Sequence, residues 1–92
     1  MINIRINEVK SYIDKVIAIN GWVYNSRRSG KIGFLTIRDG FGLLQCIVAK
    51  NDIGEGLFEN FKRLTQETSI SVVGKVVKNE RAIGGYELLL ES

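Results

Sequence analysis

The sequence predicts an all-β domain: a closed barrel of five short strands, with one helix between the third and fourth strands and a short helix in front. Three observations predict it. Ten glycines and no proline divide the 92 residues into short runs rich in Ile, Val, Leu and Phe, which is strand punctuation. These runs alternate in side-chain character with period two. One segment alone, residues 55–65, changes to helical spacing.

Asn7 to Lys15 reads as the short leading helix, ending in a turn before Val16. Residues 16–26, VIAINGWVYNS, read as a long first strand. Ile17, Ile19, Gly21 and Val23 share one face; Ala18, Asn20, Trp22 and Tyr24 share the other. Gly21 inside the strand predicts a bulge or bend, which lets one strand serve both sides of a small barrel. Residues 27–31, RRSGK, read as a basic loop, followed by a second strand over 32–39. There Leu35 and Ile37 turn inward, and Phe34, Thr36 and Arg38 outward. Asp39-Gly40-Phe41-Gly42 is a hairpin-type turn.

The third strand covers 43–49, with Leu44, Cys46 and Val48 on one face and Leu43, Gln45 and Ile47 on the other. Leu57, Phe58, Phe61 and Leu64 then form one apolar stripe of a helix. Residues 69–78 return to alternation, with Ile70, Val72, Gly74 and Val76 on one side, and residues 86–90 form the last strand. Three strands, a helix and two strands is the order of the OB-fold. The helix is expected to plug one end of a barrel closed by the first and last strands.

Composition removes chemistry. There is no histidine, and Cys46 is the only cysteine, so no internal disulfide, no Cys/His zinc site and no Ser-His or Cys-His pair can be assembled. No catalytic residue and no metal ligand is assigned. Ser29-Gly30-Lys31 is not a phosphate loop, because Asn25 and Ile32 stand where a Walker A sequence needs glycine and Ser or Thr. No apolar run approaches membrane-spanning length, and Met1-Ile2-Asn3-Ile4-Arg5 is unlike a signal peptide. A cytoplasmic location and no membrane partner are the expectations.

Net charge is +3, unevenly spread: residues 20–50 carry Arg27, Arg28, Lys31, Arg38 and Lys50 against Asp39 alone. Such a patch suits a polyanion, although a solvated loop has the same composition. A phenylalanine at 34 on a solvated strand face is a poor choice for stability alone and a good platform for an unpaired base. Gln45, on the matching outer face one strand over, carries an amide suited to a Watson–Crick edge. Arg27, Arg28 and Lys31 lie at the end of that sheet, placed for phosphates, and Arg38 shares the face of Phe34. The alternatives are plain: Phe34 packs under a neighbouring domain, and Gln45 is merely solvated. Trp22 and Tyr24 extend the platform, or Trp22 packs under the leading helix or another domain. Cys46 reads as a small buried apolar residue.

The stretch GWVYNSRRSGKIGFLTIRDGFGLLQCIV resembles the N-terminal anticodon-binding domain of class IIb aminoacyl-tRNA synthetases, the aspartyl, asparaginyl and lysyl group. The shared pattern is a G-W-V strand, a basic residue before a glycine, F-L-x-x-R-D-G, and then L-Q. KRLTQETSISVVGKVVKNERAIGGYEL is similar to the asparaginyl branch. The resemblance implies that Phe34 stacks on the middle anticodon base, Gln45 hydrogen-bonds the first two, and Arg27 contacts backbone or base. Glu87 would match an acidic residue near the third base. Aspartyl relatives carry basic residues after the glycine of the fourth strand, where Val77, Lys78 and Asn79 stand here.

The family's catalytic domain is a separate unit, and its F-R-x-E and G-x-G-x-G-x-x-R motifs are absent. Residues 1–92 are thus expected to be one domain of a longer ATP-dependent ligase, a fragment with no cofactor of its own. ATP and Mg2+ would belong to the missing catalytic domain, and the partners would be a tRNA anticodon loop, that catalytic domain and a second subunit of a homodimer. A general single-stranded nucleic-acid-binding domain and a protein-docking barrel are the competing readings.

Overall fold

A computed structural model describes residues 2–91. A 3-10 helix, Ile6–Ser11, leads into β1 (Val16–Ser29), β2 (Ile32–Arg38) and β3 (Leu43–Ala49). A short turn of helix, α1 (Lys50–Ile53), and α2 (Glu55–Lys62) precede β4 (Ser69–Lys78) and β5 (Tyr86–Leu90). The strands close into one barrel in the order β1-β2-β3-β5-β4, the expected OB-fold.

The barrel closes differently from the expectation. β1 pairs antiparallel with β4, from Val16↔Lys75 to Trp22↔Ser69, and β5 sits between β3 and β4. The reason lies in the connection. A crossover carrying α1 and α2 lets β5 run parallel to β3, as parallel neighbours require, so β1 meets β4 and not the last strand.

The interior is mostly the alternating set read from the sequence: Ile17, Ile19, Val23, Leu35, Ile37, Leu44, Cys46, Val48, Val72 and Val76 are buried, while Ile70 of that set is only partly buried. Leu88 of β5, a strand to which no inward face was assigned from the sequence, joins them. Phe58 and Phe61 of α2 close one end, their ring centroids 5.8 Å apart. Leu57 of the expected stripe is 42% exposed, since α2 turns Phe58 and Phe61 to the barrel, and Leu64, beyond the end of α2 at Lys62, is only partly buried. Burial pushes the Cys46 thiol far up, with the Glu87 carboxylate adding to the shift, so the thiol is inert packing.

Three expectations along the chain need correction. The leading helix is a six-residue 3-10 turn and not a helix to Lys15. Asp14 N–H donates to Val76 O at 2.7 Å and Val76 N–H to Lys15 O at 3.0 Å, so this segment is drawn into pairing with β4. The bulge in β1 lies between Val23 and Asn25, not at Gly21. Gly21 serves close approach instead: a Cβ there would stand 2.5 Å from the Arg38 carbonyl oxygen. Residues 27–29 are strand and not loop, pairing with Phe34, Gly33 and Ile32. Gly30, at φ +61°, takes the first central position of a two-residue hairpin turn.

Asp39 explains the aspartate of the R-D-G run. Its carboxylate accepts from Ile6 N–H at 2.7 Å and from Phe41 N–H at 2.9 Å. One side chain thus closes the β2–β3 turn and pins the start of the 3-10 helix.

Candidate nucleic-acid interface

Strand register decides which side chains meet on the outer face. Partners directly opposite across a sheet point the same way, and two rows cross the barrel wall. One row runs Asn25, Thr36, Gln45, Glu87 and Val77; the next runs Arg27, Phe34, Ile47, Leu89 and Lys75. Inside both rows lies the core, so the apolar residues of the second row are not needed to fill it.

Phe34 points outward as expected and is half-buried. Its cover is Arg27, whose guanidinium carbon stands 4.7 Å from the ring centroid. A cation over an exposed ring contributes about 0.5–1 kcal/mol, so the pair is held but easily opened. Gly33, beside Phe34 on the other face, has no room for a side chain: a Cβ would fall 2.2 Å from the Phe61 ring. The strand is therefore pressed against α2, which holds Phe34 on the opposite side.

Gln45 is not merely solvated. Its Nε2 donates to Glu87 Oε2 at 2.7 Å, and Asn79 Nδ2 donates to Glu87 Oε1 at 2.9 Å. An ionised carboxylate can only accept, so both amides must present nitrogen to Glu87. That orients Gln45 with its carbonyl oxygen away from Glu87. Asn79 is held in turn, since its Oδ1 accepts from Arg81 N–H at 3.0 Å. Glu87 is 8% exposed, one of two buried polar residues on this wall with Thr36. Thr36, expected to be open, is covered because Asn25 and Gln45 flank it.

The other expected residues are dispersed. Arg38 lies along β2 beyond Thr36, where it pairs with Glu67 and stands 5.5 Å from the centroid of Trp22. It is therefore engaged at the far end of the face from Phe34. Arg28 pairs with Gly33, which puts it on the side that faces α2 and not on the side of Phe34. Lys31 is exposed in the hairpin turn. Trp22 does not pack under the leading segment; it is 42% exposed, and Tyr24 is similarly open beside the bulge. Nothing in the sequence marks Asn79 as a site residue. An asparagine ending a strand ordinarily signals a turn, and only the β4–β5 pairing brings it to Glu87.

Among the described residues no three His, Cys, Asp or Glu side chains group as metal ligands would, and no helix is long and apolar enough to cross a membrane. What the wall offers is an aromatic ring covered by an arginine and an oriented amide, a combination suited to unstacked bases and their phosphates.

Comparisons with known proteins agree with this chemistry. Asparagine–tRNA ligase of Desulforamulus reducens is 46% identical over 83 residues, covering 90% of this chain and 19% of that protein. The Sorangium cellulosum asparagine–tRNA ligase is 40% identical over 82 residues, covering 89% of the chain and 18% of the relative. The crystal structure of asparaginyl-tRNA synthetase from Pyrococcus horikoshii complexed with asparaginyl-adenylate superposes with a TM-score of 0.91 at 43% identity, covering 97% of this chain and 21% of that one. The chain thus spans about a fifth of the length of these relatives. A family model for tRNA anticodon domains, described as an OB-fold nucleic acid binding domain, matches residues 17–92. The chain belongs to that family of OB-fold nucleic-acid-binding domains.

Proposed function

We propose that the chain is the anticodon-recognition unit of an asparagine–tRNA ligase. One observation carries the reading: the Phe34 ring under Arg27 lies one register row from Gln45, whose amide is oriented by Glu87. The similarity to asparagine–tRNA ligases supports the same reading.

An anticodon base leaves its stack and lies on Phe34, which contributes about 1–3 kcal/mol per base. Arg27 moves from the ring to the base or its phosphate. The outward carbonyl of Gln45 accepts a base N–H. A base presenting an acceptor there leaves two oxygens facing each other, at a cost of about 1–3 kcal/mol. Glu87 and Asn79 act by holding that polarity. Residues 1–92 form one domain of a longer cytoplasmic homodimeric enzyme, and the ligase chemistry, with its ATP and Mg2+, resides in a catalytic domain outside this chain.

The test is Phe34→Leu, which keeps apolar volume and removes the aromatic face. Affinity for an asparagine anticodon stem–loop RNA should fall by about 1–3 kcal/mol with the thermal midpoint nearly unchanged. Unaltered affinity in a folded variant rejects the stacking role. Equal binding of a stem–loop with a scrambled loop rejects anticodon reading altogether.

A further inference from the structure

The β1–β2 hairpin carries cations on both of its sides, and the base-binding face uses only one. On the other side, Ser26, Arg27, Arg28, Phe61 and Lys62 line an open cleft of about 220 Å³ between the end of β1 and the end of α2. We propose that this cleft is a second RNA contact, a seat for a backbone phosphodiester of the strand whose bases spread over Phe34. The inference rests on the anticodon reading and adds a contact that the base face does not supply.

Several observations lead there. The strand alternation that points Arg27 to Phe34 sends Arg28 to the face of Gly33 and Phe61. Ser26 lies on that same face, opposite Leu35, but beyond the closed part of the barrel, so its hydroxyl is exposed. Among the described residues Arg28 has no acidic partner, and neither has Arg27. An exposed guanidinium with no acidic partner keeps its fork of N–H donors free for phosphate. Phe61 forms the apolar edge of the cleft and packs against Gly33, where a side chain would strike its ring.

Size narrows the ligand. Sites for drug-sized molecules run to about 300–1,000 Å³, and this cleft is smaller. It suits a phosphate group better than a base with its sugar. Arg27 lines the cleft and also covers Phe34. A strand leaving the base face therefore crosses the hairpin at Arg27 and delivers its next backbone groups to Arg28.

Lys62 is the reserve charge. In the structure its ammonium is bonded to Glu59 Oε1 at 2.8 Å, with the Glu59 side chain about half exposed and that of Lys62 about a third. Such a surface pair holds its partners weakly, so an incoming phosphate can draw Lys62 away. Glu59 is then an acid that opposes binding.

The experiment measures affinity of this chain for an asparagine anticodon stem–loop RNA and for its scrambled-loop counterpart over a range of salt. Arg28→Ala should weaken both RNAs by the same factor, about tenfold, and flatten the salt slope by about 0.7. Glu59→Gln should tighten both. Asp14→Asn, an equal charge change at the opposite end of β1 where the left-handed backbone (φ +65°) suits asparagine, should do so less. Neutral methylphosphonate linkages placed singly in the loop should include one that weakens wild type yet leaves Arg28→Ala unaffected. The cleft is overturned if Arg28→Ala keeps the wild-type affinity and slope, or weakens the cognate RNA alone. A silent Arg28→Ala beside a weakened Phe34→Leu removes the cleft and leaves the anticodon reading standing. Silence of both variants removes the two together.

Discussion

β1 is one continuous strand with two different halves. From Val16 to Trp22 it pairs with β4, β2 joins its other edge only at Trp22, and Ile17, Ile19 and Val23 fill the barrel. From Tyr24 to Ser29 it pairs with β2 alone, and every residue is exposed. The bulge between Val23 and Asn25 is the point where it parts from β4. A loop crosses there, with Val23 N–H donating to Thr68 O and Gln66 Nε2 to Tyr24 O, each at 2.9 Å. Past that point the strand has no interior to face, so alternation no longer separates core from solvent. It separates one surface from another, and both surfaces carry arginine. The barrel half of a strand is constrained by packing, and the projecting half is free for recognition.

Substitutions can sharpen that contrast. The largest effect belongs to the barrel half. Ile19→Ala should destabilise the chain by about 2–5 kcal/mol, read by urea denaturation, while Asn25→Ala in the projecting half should stay within about 0.5 kcal/mol. Similar losses at both sites would erase the distinction. Next comes the loss of RNA affinity in Phe34→Leu, with folding kept.

Glu87→Gln should act on selectivity more than on affinity. An amide in place of the carboxylate can offer N–H as well as accept, so Gln45 is free to turn over. Discrimination between cognate and altered anticodon loops should then fall by about 1–3 kcal/mol, measured by competition. Retained discrimination would mean that Gln45 needs no orienting partner. The smallest effect is expected at Arg38→Ala. Its exposed pair with Glu67 should contribute no more than about 1 kcal/mol to stability, and RNA affinity should move less than in Arg28→Ala. A larger loss of RNA binding there would extend the interface along β2 to Trp22.

Much of the site was legible from alternation alone. Once Leu35 and Ile37 are taken as core, Phe34 must point out, and the same parity puts Gln45 outward opposite Thr36. The contact between Arg27 and Phe34 was not legible, because RRSGK reads as a loop from its glycine and charge. Only the two-residue turn at Gly30-Lys31 sets the register that places Arg27 opposite Phe34 and sends Arg28 to α2. The role of Glu87 was hidden for a related reason. Its distance from Gln45 along the chain is long, and it depends on β5 running parallel to β3.

By itself, then, the sequence determined the strands, their inward faces and the outward ring, since period-two patterning is a local property that burial enforces residue by residue. The tertiary structure decided which strands adjoin, which cations share a face and which way the Gln45 amide points. Those depend on register and closure, relations between distant segments that no local pattern encodes.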